Sequence, residues 1–460
     1  FAAMRAFSKQ LESQGHNVIY LNLDDSSNLQ NLEENLNHLI LTHNIECFQY
    51  QSPDEFRLDS QLKAFCKSLS ISSSEIDTEH FYTTRDELSV FFEGKKQFLM
   101  ERFYRYMRKK HHILMEGENP EGGEWNYDKS NRNKWKGSPG IPSFLHLKNP
   151  VETILKTIVA SNIETIGRFD ETTFSYPINK DQSLEQLAYF NQNLLVHFGD
   201  YQDALHTEEV YLFHSRLSFA MNLKLISPKE IIDAVLDHYR LNSDEISISQ
   251  VEGFIRQVIG WREYMRGMYW AQMPQYKALN TLDNHNPIPE FFWTGDTKMN
   301  CLNKTINNSL DNAYAHHIQR LMITGNYLLL TQTHPDAVDE WYLGIYIDAL
   351  EWVQLPNTRG MSQFADGGLI ATKPYVSSGS YINKMSNYCS GCAYNVKERL
   401  GENACPFNSL YWNFLDDKRP QLAANFRMKM MYSVLNKFSK EELIAMKLRA
   451  SQIIESPEKF

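Results

Sequence analysis

Three cysteines crowd one stretch, YCSGCAYNVKERLGENACPFNSLYW, from Tyr388 to Trp412: Cys389, Cys392 and Cys405. Cys389 and Cys392 form a C-x2-C pair, whose short loop can turn two sulfurs toward one metal centre, and Cys405 precedes Pro406. A tetrahedral or cubane site needs a fourth ligand, and Cys301 is the remaining cysteine of the second half. The C-x2-C spacing fits structural zinc. The Cys-Pro at the last ligand and the remote fourth cysteine fit an iron–sulfur cluster. These residues alone leave both metals open. Cys47 and Cys66 read as ordinary thiols.

No G-x-S-x-G, H-E-x-x-H, P-loop or G-x-G-x-x-G is present, which sets hydrolase and nucleotidyl-transfer chemistry low. The other polar, aromatic stretches are HSRLSFAMNLKLIS from His214, FIRQVIGWREYMRGMYW from Phe254 and WYLGIYIDALEWVQLPNTRGMSQFADGG from Trp341. His316 and His317 are adjacent, and neighbouring helical residues diverge by about 100°, so both cannot serve one pocket equally.

These residues need a scaffold, and 460 residues with 42% hydrophobic content suffice for two or three domains. Aromatics make up 13%, and the net charge of −10 argues against non-specific nucleic-acid adhesion while allowing a local basic groove. No apolar run reaches membrane-span length, and six unevenly spaced cysteines fit a reducing compartment. The pattern predicts a helix over 1–14 ended by Gly15, strands over 17–23 and 45–50, and helices over 29–41 and 57–68. That alternation implies a Rossmann-like parallel sheet whose first strand is missing from the numbered chain. A long helix over 91–115 carries Arg102, Arg105, Arg108, Lys109 and Lys110, and a Gly- and Asn-rich loop follows over 117–142. From Leu184 onward the pattern is helical, with capping boxes expected at Ser227/Glu230 and Ser249/Glu252 and a cap at Ser439. The division is an α/β domain over 1–118, a linker over 119–183 and an all-helical domain over 184–460.

W-R-E-Y at 261–264, HSRLSFAMNLKLISP, the His316–His317 pair and C-S-G-C with A-C-P-F-N together resemble the iron–sulfur bacterial cryptochrome/photolyase family, across essentially the whole chain. Its characterised members are prokaryotic (6-4) photolyases. The resemblance implies the photolyase/cryptochrome fold, with an antenna-binding α/β domain and an FAD-binding helical one. It implies a four-iron four-sulfur (4Fe-4S) cluster on Cys301, Cys389, Cys392 and Cys405. It places His214, Ser215, Arg216, Leu217 and Ser218 around the pyrophosphate and ribityl chain of FAD. Gln257, Trp261 and Arg262 would line the cofactor, and Asp348, Gln354, Asn357 and Met361 would lie along its ring. His316 and His317 would border the lesion, with Tyr375 nearby, and Trp341, Tyr342 and Trp293 would relay electrons.

A 6,7-dimethyl-8-ribityllumazine antenna is implied in the α/β domain. The implied activity is blue-light-driven repair of (6-4) photoproducts in UV-damaged DNA, by a monomer in the bacterial cytoplasm, at the nucleoid when bound to DNA. Arg102 to Lys110, the loop 129–136 and Lys298 are candidate DNA contacts. A light sensor with the same cofactors, and a zinc-stabilised nucleic-acid-binding protein, are the alternative readings.

Overall fold

A computed structural model of the chain describes residues 1–169 and 174–460; residues 170–173 of the expected linker lie outside them. The N-terminal part runs α1 (Ala2–Ser13), α2 (Leu32–Thr42), β1 (Cys47–Gln51), α3 (Phe56–Ser68) and β2 (Ser72–Ile76). β1 and β2 pair in parallel, Cys47 opposite Ser72 through Gln51 opposite Ile76, with α3 as the crossover. Phe65 of α3 packs edge-on against Phe48 of β1 at 5.8 Å, which seats the helix on the sheet. Gly15, at φ +89°, ends α1 as expected.

Two expectations need correction here. Residues 17–23 are not a strand. Side chains capture their backbone: Asp25 accepts from the Asn22 N–H, and Asn28 and Gln30 donate to the carbonyls of Asn22 and Leu23. Such local bonds compete with a ladder. The long helix over 91–115 is instead α4 (Glu87–Phe91) and α5 (Met100–His111), separated by a turn at Gly94 with φ +69°. His112, left-handed at φ 53°, closes α5.

The helical part is threaded by one continuous apolar core that also takes in α4 and α5. Pro228–Leu241 begins with the expected Ser227/Glu230 capping box, and Ser439 caps Lys440–Glu455. The Ser249/Glu252 box does not form: the helix Ile248–Ile255 starts from Ser247, and Glu252 is fully buried. Its carboxylate accepts from Tyr104 Oη (2.8 Å), Arg256 Nε (3.1 Å) and the Tyr127 N–H (3.0 Å). It therefore ties α5 and the long loop to the helical body. The stretch from Phe254 passes through a π-helical turn at Arg256–Arg262 before Glu263–Gln272. Two more π turns occur, Arg320–Gly325 just after the histidine pair and Pro356–Ser362 within the stretch from Trp341. Such turns are rare and concentrate at functional sites. No helix among the described residues is long and apolar enough to cross a membrane.

Candidate functional site: a thiol pocket and a histidine-lined recess

Three elements carry the four thiols to one place. Cys301 opens the helix Asn300–Asn312, Cys389 and Cys392 sit in and after the 3₁₀ turn Tyr388–Gly391, and Cys405 precedes the helix Pro406–Asp417. All four line a single pocket walled by Met299, Ile382, Val396 and Phe407. Burial first, then the neighbouring sulfurs, raises the Cys301 thiol well above its ordinary range, and pushes Cys389 to about 11. Burial, with the neighbouring sulfurs adding to it, pushes Cys405 to about 12. Thiolates crowded in an apolar wall are unfavourable unless a cation neutralises them, and soft sulfur donors suit zinc or iron–sulfur centres. Among the described residues no three His, Cys, Asp or Glu side chains converge as the ligands of one metal ion would. The thiols surround the pocket.

The thiol pocket is wired to the histidine pair. Tyr388 Oη accepts from Gln319 Nε2 (3.1 Å), and Gln319 Oε1 accepts from the His316 N–H (3.1 Å). His316 is buried and stacks on His214, ring centroids 4.6 Å apart at 18°. His317 diverges, as helical geometry requires. It is solvent-accessible. Yet burial among protein atoms, with the Arg320 charge, lowers its pKa to about 4. Solvent reaches His317 although protein atoms crowd it, and we read the position as a surface recess.

The walls of that recess come from distant segments. Asp348 Oδ2 accepts from Ser218 Oγ (2.7 Å), and Asp348 Oδ1 pairs with Arg320 Nη1 (3.0 Å). Asn222 Nδ2 donates to the Asp348 carbonyl (2.7 Å). Arg320 lies over the Tyr346 ring at 3.8 Å. Arg216, left-handed at φ 58°, holds its guanidinium over Phe144, Tyr211 and Tyr176. Its buried Nε and Nη2 have no hydrogen-bond partner among the described residues, and neither do His214 Nε2 and His316 Nδ1. Buried donors are rarely left unsatisfied, so the unpaired Arg216 guanidinium, two residues from His214, fits an anionic ligand. These residues fit the phosphate-bearing end of FAD.

The other sequence-selected residues are placed as follows. Leu217 is buried, and the Ser215 carbonyl accepts from Gln186 Nε2 (2.8 Å). Gln354 and Met361 are buried, and Asn357 Nδ2 donates to the Val353 carbonyl within its own helix (2.8 Å). Gln257 likewise bonds the Gly253 carbonyl (3.1 Å), and Trp261 packs edge-on against Tyr264. Arg262 faces the N-terminal part, with its guanidinium over Phe81 and Trp352 and Nη2 3.3 Å from His80 Nε2. Tyr375 is half-buried, and its charged surroundings are Asp128, Arg132, Arg427 and Asp203. Ala204, beside Asp203, hydrogen-bonds His316 through its backbone, so Tyr375 is reached from the histidines through this segment.

Trp341 is fully buried, 5.3 Å from Tyr342 and 5.2 Å from Phe292, and its Nε1 donates to the Phe292 carbonyl (3.1 Å). Trp293, next in the chain, is exposed at the surface. Tyr342 Oη donates to the Arg320 carbonyl (2.7 Å), so the aromatic series runs from surface to recess. Sequence reasoning missed Phe292 as its bridge and Arg320 as its inner end. The spacing of Arg320 four residues after His316 was the available clue.

The expected basic rim on α5 is a correction. Arg108 is fully buried and donates to the Ile113, Trp125 and Leu114 carbonyls. Arg105 pairs with Glu101, Lys109 with Glu118 and Lys110 with Glu87. Most of that charge is spent on structure.

Comparison with known proteins bears on this arrangement. Residues 1–174 match the family model for deoxyribodipyrimidine photo-lyase-related proteins. The chain is 41% identical over 450 residues to the (6-4) photolyase of Agrobacterium fabrum, covering 96% of this chain and 87% of that protein. It is 38% identical over 97 residues to an uncharacterized protein of Acanthamoeba polyphaga mimivirus, covering 21% of this chain and 73% of that one. Its fold is similar to that of a bacterial class III photolyase from Agrobacterium tumefaciens, with a TM-score of 0.54 at 16% identity over 95% of this chain and 88% of that one. It also matches the cryptochrome of Synechocystis, with a TM-score of 0.51 at 13% identity over 77% and 71% of the two chains. The chain belongs to the bacterial cryptochrome/photolyase family that contains the (6-4) photolyase of Agrobacterium fabrum.

Proposed function

We propose that this chain is a (6-4) DNA photolyase, a lyase that repairs (6-4) photoproducts in UV-damaged DNA under blue light. The observation that carries the reading is the exposed His317 beside the buried His214–His316 stack, with the Arg216 guanidinium two residues from His214 holding Nε and Nη2 buried and without a partner among the described residues. That is a built site for a polyanionic cofactor with a titratable group beside it. Arg216, His214 and Ser218 would hold the phosphate and ribityl portions of FAD, and Asp348, Gln354, Asn357 and Met361 its ring. Gln257, Trp261 and Arg262 would line the cofactor from the π turn. Reduced FAD supplies the excitable electron donor of the reaction.

The protein residues do the rest. A base flipped from its stack can enter a concave recess. His316 is pinned by its stack on His214 and by Gln319, so it orients. His317 touches solvent and is the group placed to hand a proton to a bound lesion. Its depressed pKa keeps it neutral at pH 7. Phosphates drawn into the recess would raise it toward the range useful for acid catalysis. Tyr375 would border the lesion. Trp293, Trp341 and Tyr342, bridged by Phe292, would carry electrons inward.

Cys301, Cys389, Cys392 and Cys405 would hold a 4Fe-4S cluster, which supplies a structural and redox centre. Thiols that ring a pocket suit a multi-atom core better than a single ion. Residues 1–118 would carry the 6,7-dimethyl-8-ribityllumazine antenna, the linker 119–183 would join them to the helical domain 184–460, and the protein would work as a cytoplasmic monomer at the nucleoid.

The test is illumination of an oligonucleotide carrying one (6-4) photoproduct with the purified, reduced protein. Restored thymines are expected. Full flavin content without any repair would overturn the reading in favour of a light sensor.

A further inference from the structure

Arg419 to Lys440 holds five cations, Arg419, Arg427, Lys429, Lys437 and Lys440, and not one Asp or Glu, in a chain whose net charge is −10. Of these, Arg419 alone is in an ion pair among the described residues, with Asp416 at 3.3 Å. The other four are exposed. Their charge is therefore available to a partner, unlike that of α5. From the middle of this segment projects Phe426, with 85% of its surface exposed. It opens the 3₁₀ turn Phe426–Met428, and it does so on a firm base. Asn425 caps the turn by accepting from the Arg427 N–H (3.0 Å), while Asn425 Nδ2 donates to the Thr372 carbonyl (2.9 Å). Met428, the third residue, is fully buried. Exposing a large aromatic ring on a rigid turn has a free-energy cost that a solvated surface does not require.

The place of the turn is specific. Thr372 precedes the Lys373–Pro374–Tyr375 strip, and Arg427 is among the charges acting on Tyr375. The turn bearing Phe426 is thus tied to the backbone three residues before Tyr375, the residue read as bordering the lesion.

We propose that Phe426 is a wedge that fills the gap left in a duplex when a damaged nucleotide pair is extruded, while Arg427, Lys429, Lys437 and Lys440 hold the flanking phosphates. This deepens the repair reading above and rests on it. An aromatic ring stacks on any base, and apolar wedges between base steps are a general means of stabilising distorted DNA. Exposed lysines and arginines that form no ion pair among the described residues match the phosphate backbone.

The experiment measures fluorescence anisotropy in the dark, with the full flavin-loaded chain and a labelled duplex carrying one (6-4) photoproduct or none. Phe426→Ala should weaken binding of the damaged duplex by at least about fivefold. Its effect on the undamaged duplex should stay under about twofold. Phe426→Trp should retain wild-type preference. Arg427→Ala should weaken both duplexes alike and reduce the slope of log K against log salt by about one. Unchanged flavin absorbance and Tm in Phe426→Ala would exclude a folding effect. Unchanged damaged-duplex affinity in Phe426→Ala, with wild-type preference intact, overturns the wedge. A wild type that binds both duplexes equally overturns the repair reading itself.

Discussion

Asp348 is the knot of the recess, and its removal gives a quantitative test. One carboxylate oxygen takes the Ser218 hydroxyl and the other the Arg320 guanidinium. Side-chain exposure is 17% for Arg320 and 13% for Asp348, so the pair is largely but not wholly withdrawn from water. Removing one partner of a buried pair costs about 3–5 kcal/mol, chiefly because the other charge is stranded. Residual solvation places this case at the low end, roughly 3 kcal/mol. For 460 residues, an unfolding entropy of about 2.1 cal/mol/K per residue makes that roughly a 3 °C fall in Tm.

The assay is the Tm of Asp348→Ala together with its flavin-to-protein absorbance ratio. Both should drop, because Ser218 and Arg320 would lose their common anchor on opposite walls of the recess. Asp348→Asn keeps the shape and should fall between. The double variant Asp348→Leu with Arg320→Met should recover most of the Tm while leaving flavin content low, since it removes the stranded charge but not the loss of the site. A Tm for Asp348→Ala within about 1 °C of wild type, with full flavin content, would refute the anchoring argument.

Three further outcomes are expected. His317→Ala should keep its flavin and lose about 10²–10⁴-fold in repair rate at saturating substrate, whereas His316→Ala, by unstacking His214, should also lower flavin content. Measuring rate and absorbance together separates the two roles. Cys389→Ala should lose iron and disturb the Asn300–Asn312 and Pro406–Asp417 helices that the thiols bring together, so iron content by chemical assay and helicity by circular dichroism should fall together. A folded, iron-replete Cys389→Ala protein would count against the cluster. Acid should destabilise the fold in a defined window. Burial lowers His80 to about 3 and His214 to about 4, and takes His316 well below its ordinary 6.5. Below pH 6.5 the unfolded chain binds protons that the folded one does not. The stability from these three neutral imidazoles is thus fully present above pH 6.5 and declines as pH falls toward 4. A Tm that is flat over that interval would contradict the burial of these histidines.

Much of this protein was legible in the order of its residues, where the controlling interactions are local. Ser227 three residues before Glu230 specifies a capping box whatever else the chain does, and Ser439 specifies a cap in the same way. Gly15 stops its helix because a left-handed backbone suits glycine. The C-x2-C pair and the stretches read as flavin-binding are short patterns whose chemistry depends on residues a few positions apart, and they pointed to the family. The Ser249/Glu252 pattern was identical in kind and failed. Glu252 had a stronger use: three donors, two of them from Tyr104 and Tyr127, more than a hundred residues away.

The tertiary structure decided what depends on such distant partners. It made α5 a strut, because the Arg108 side chain satisfies three carbonyls in a fully buried site. It separated His316, locked on His214, from His317, left in the wet recess, a distinction that adjacency in sequence cannot make. It connected the thiol pocket to that recess through Tyr388 and Gln319. And it left the cations after Arg419 without carboxylates while giving those of α5 three. Residue types fix what a group can do. Only packing fixes which groups are buried, paired or free, since burial and pairing are set by neighbours that the chain supplies from far away.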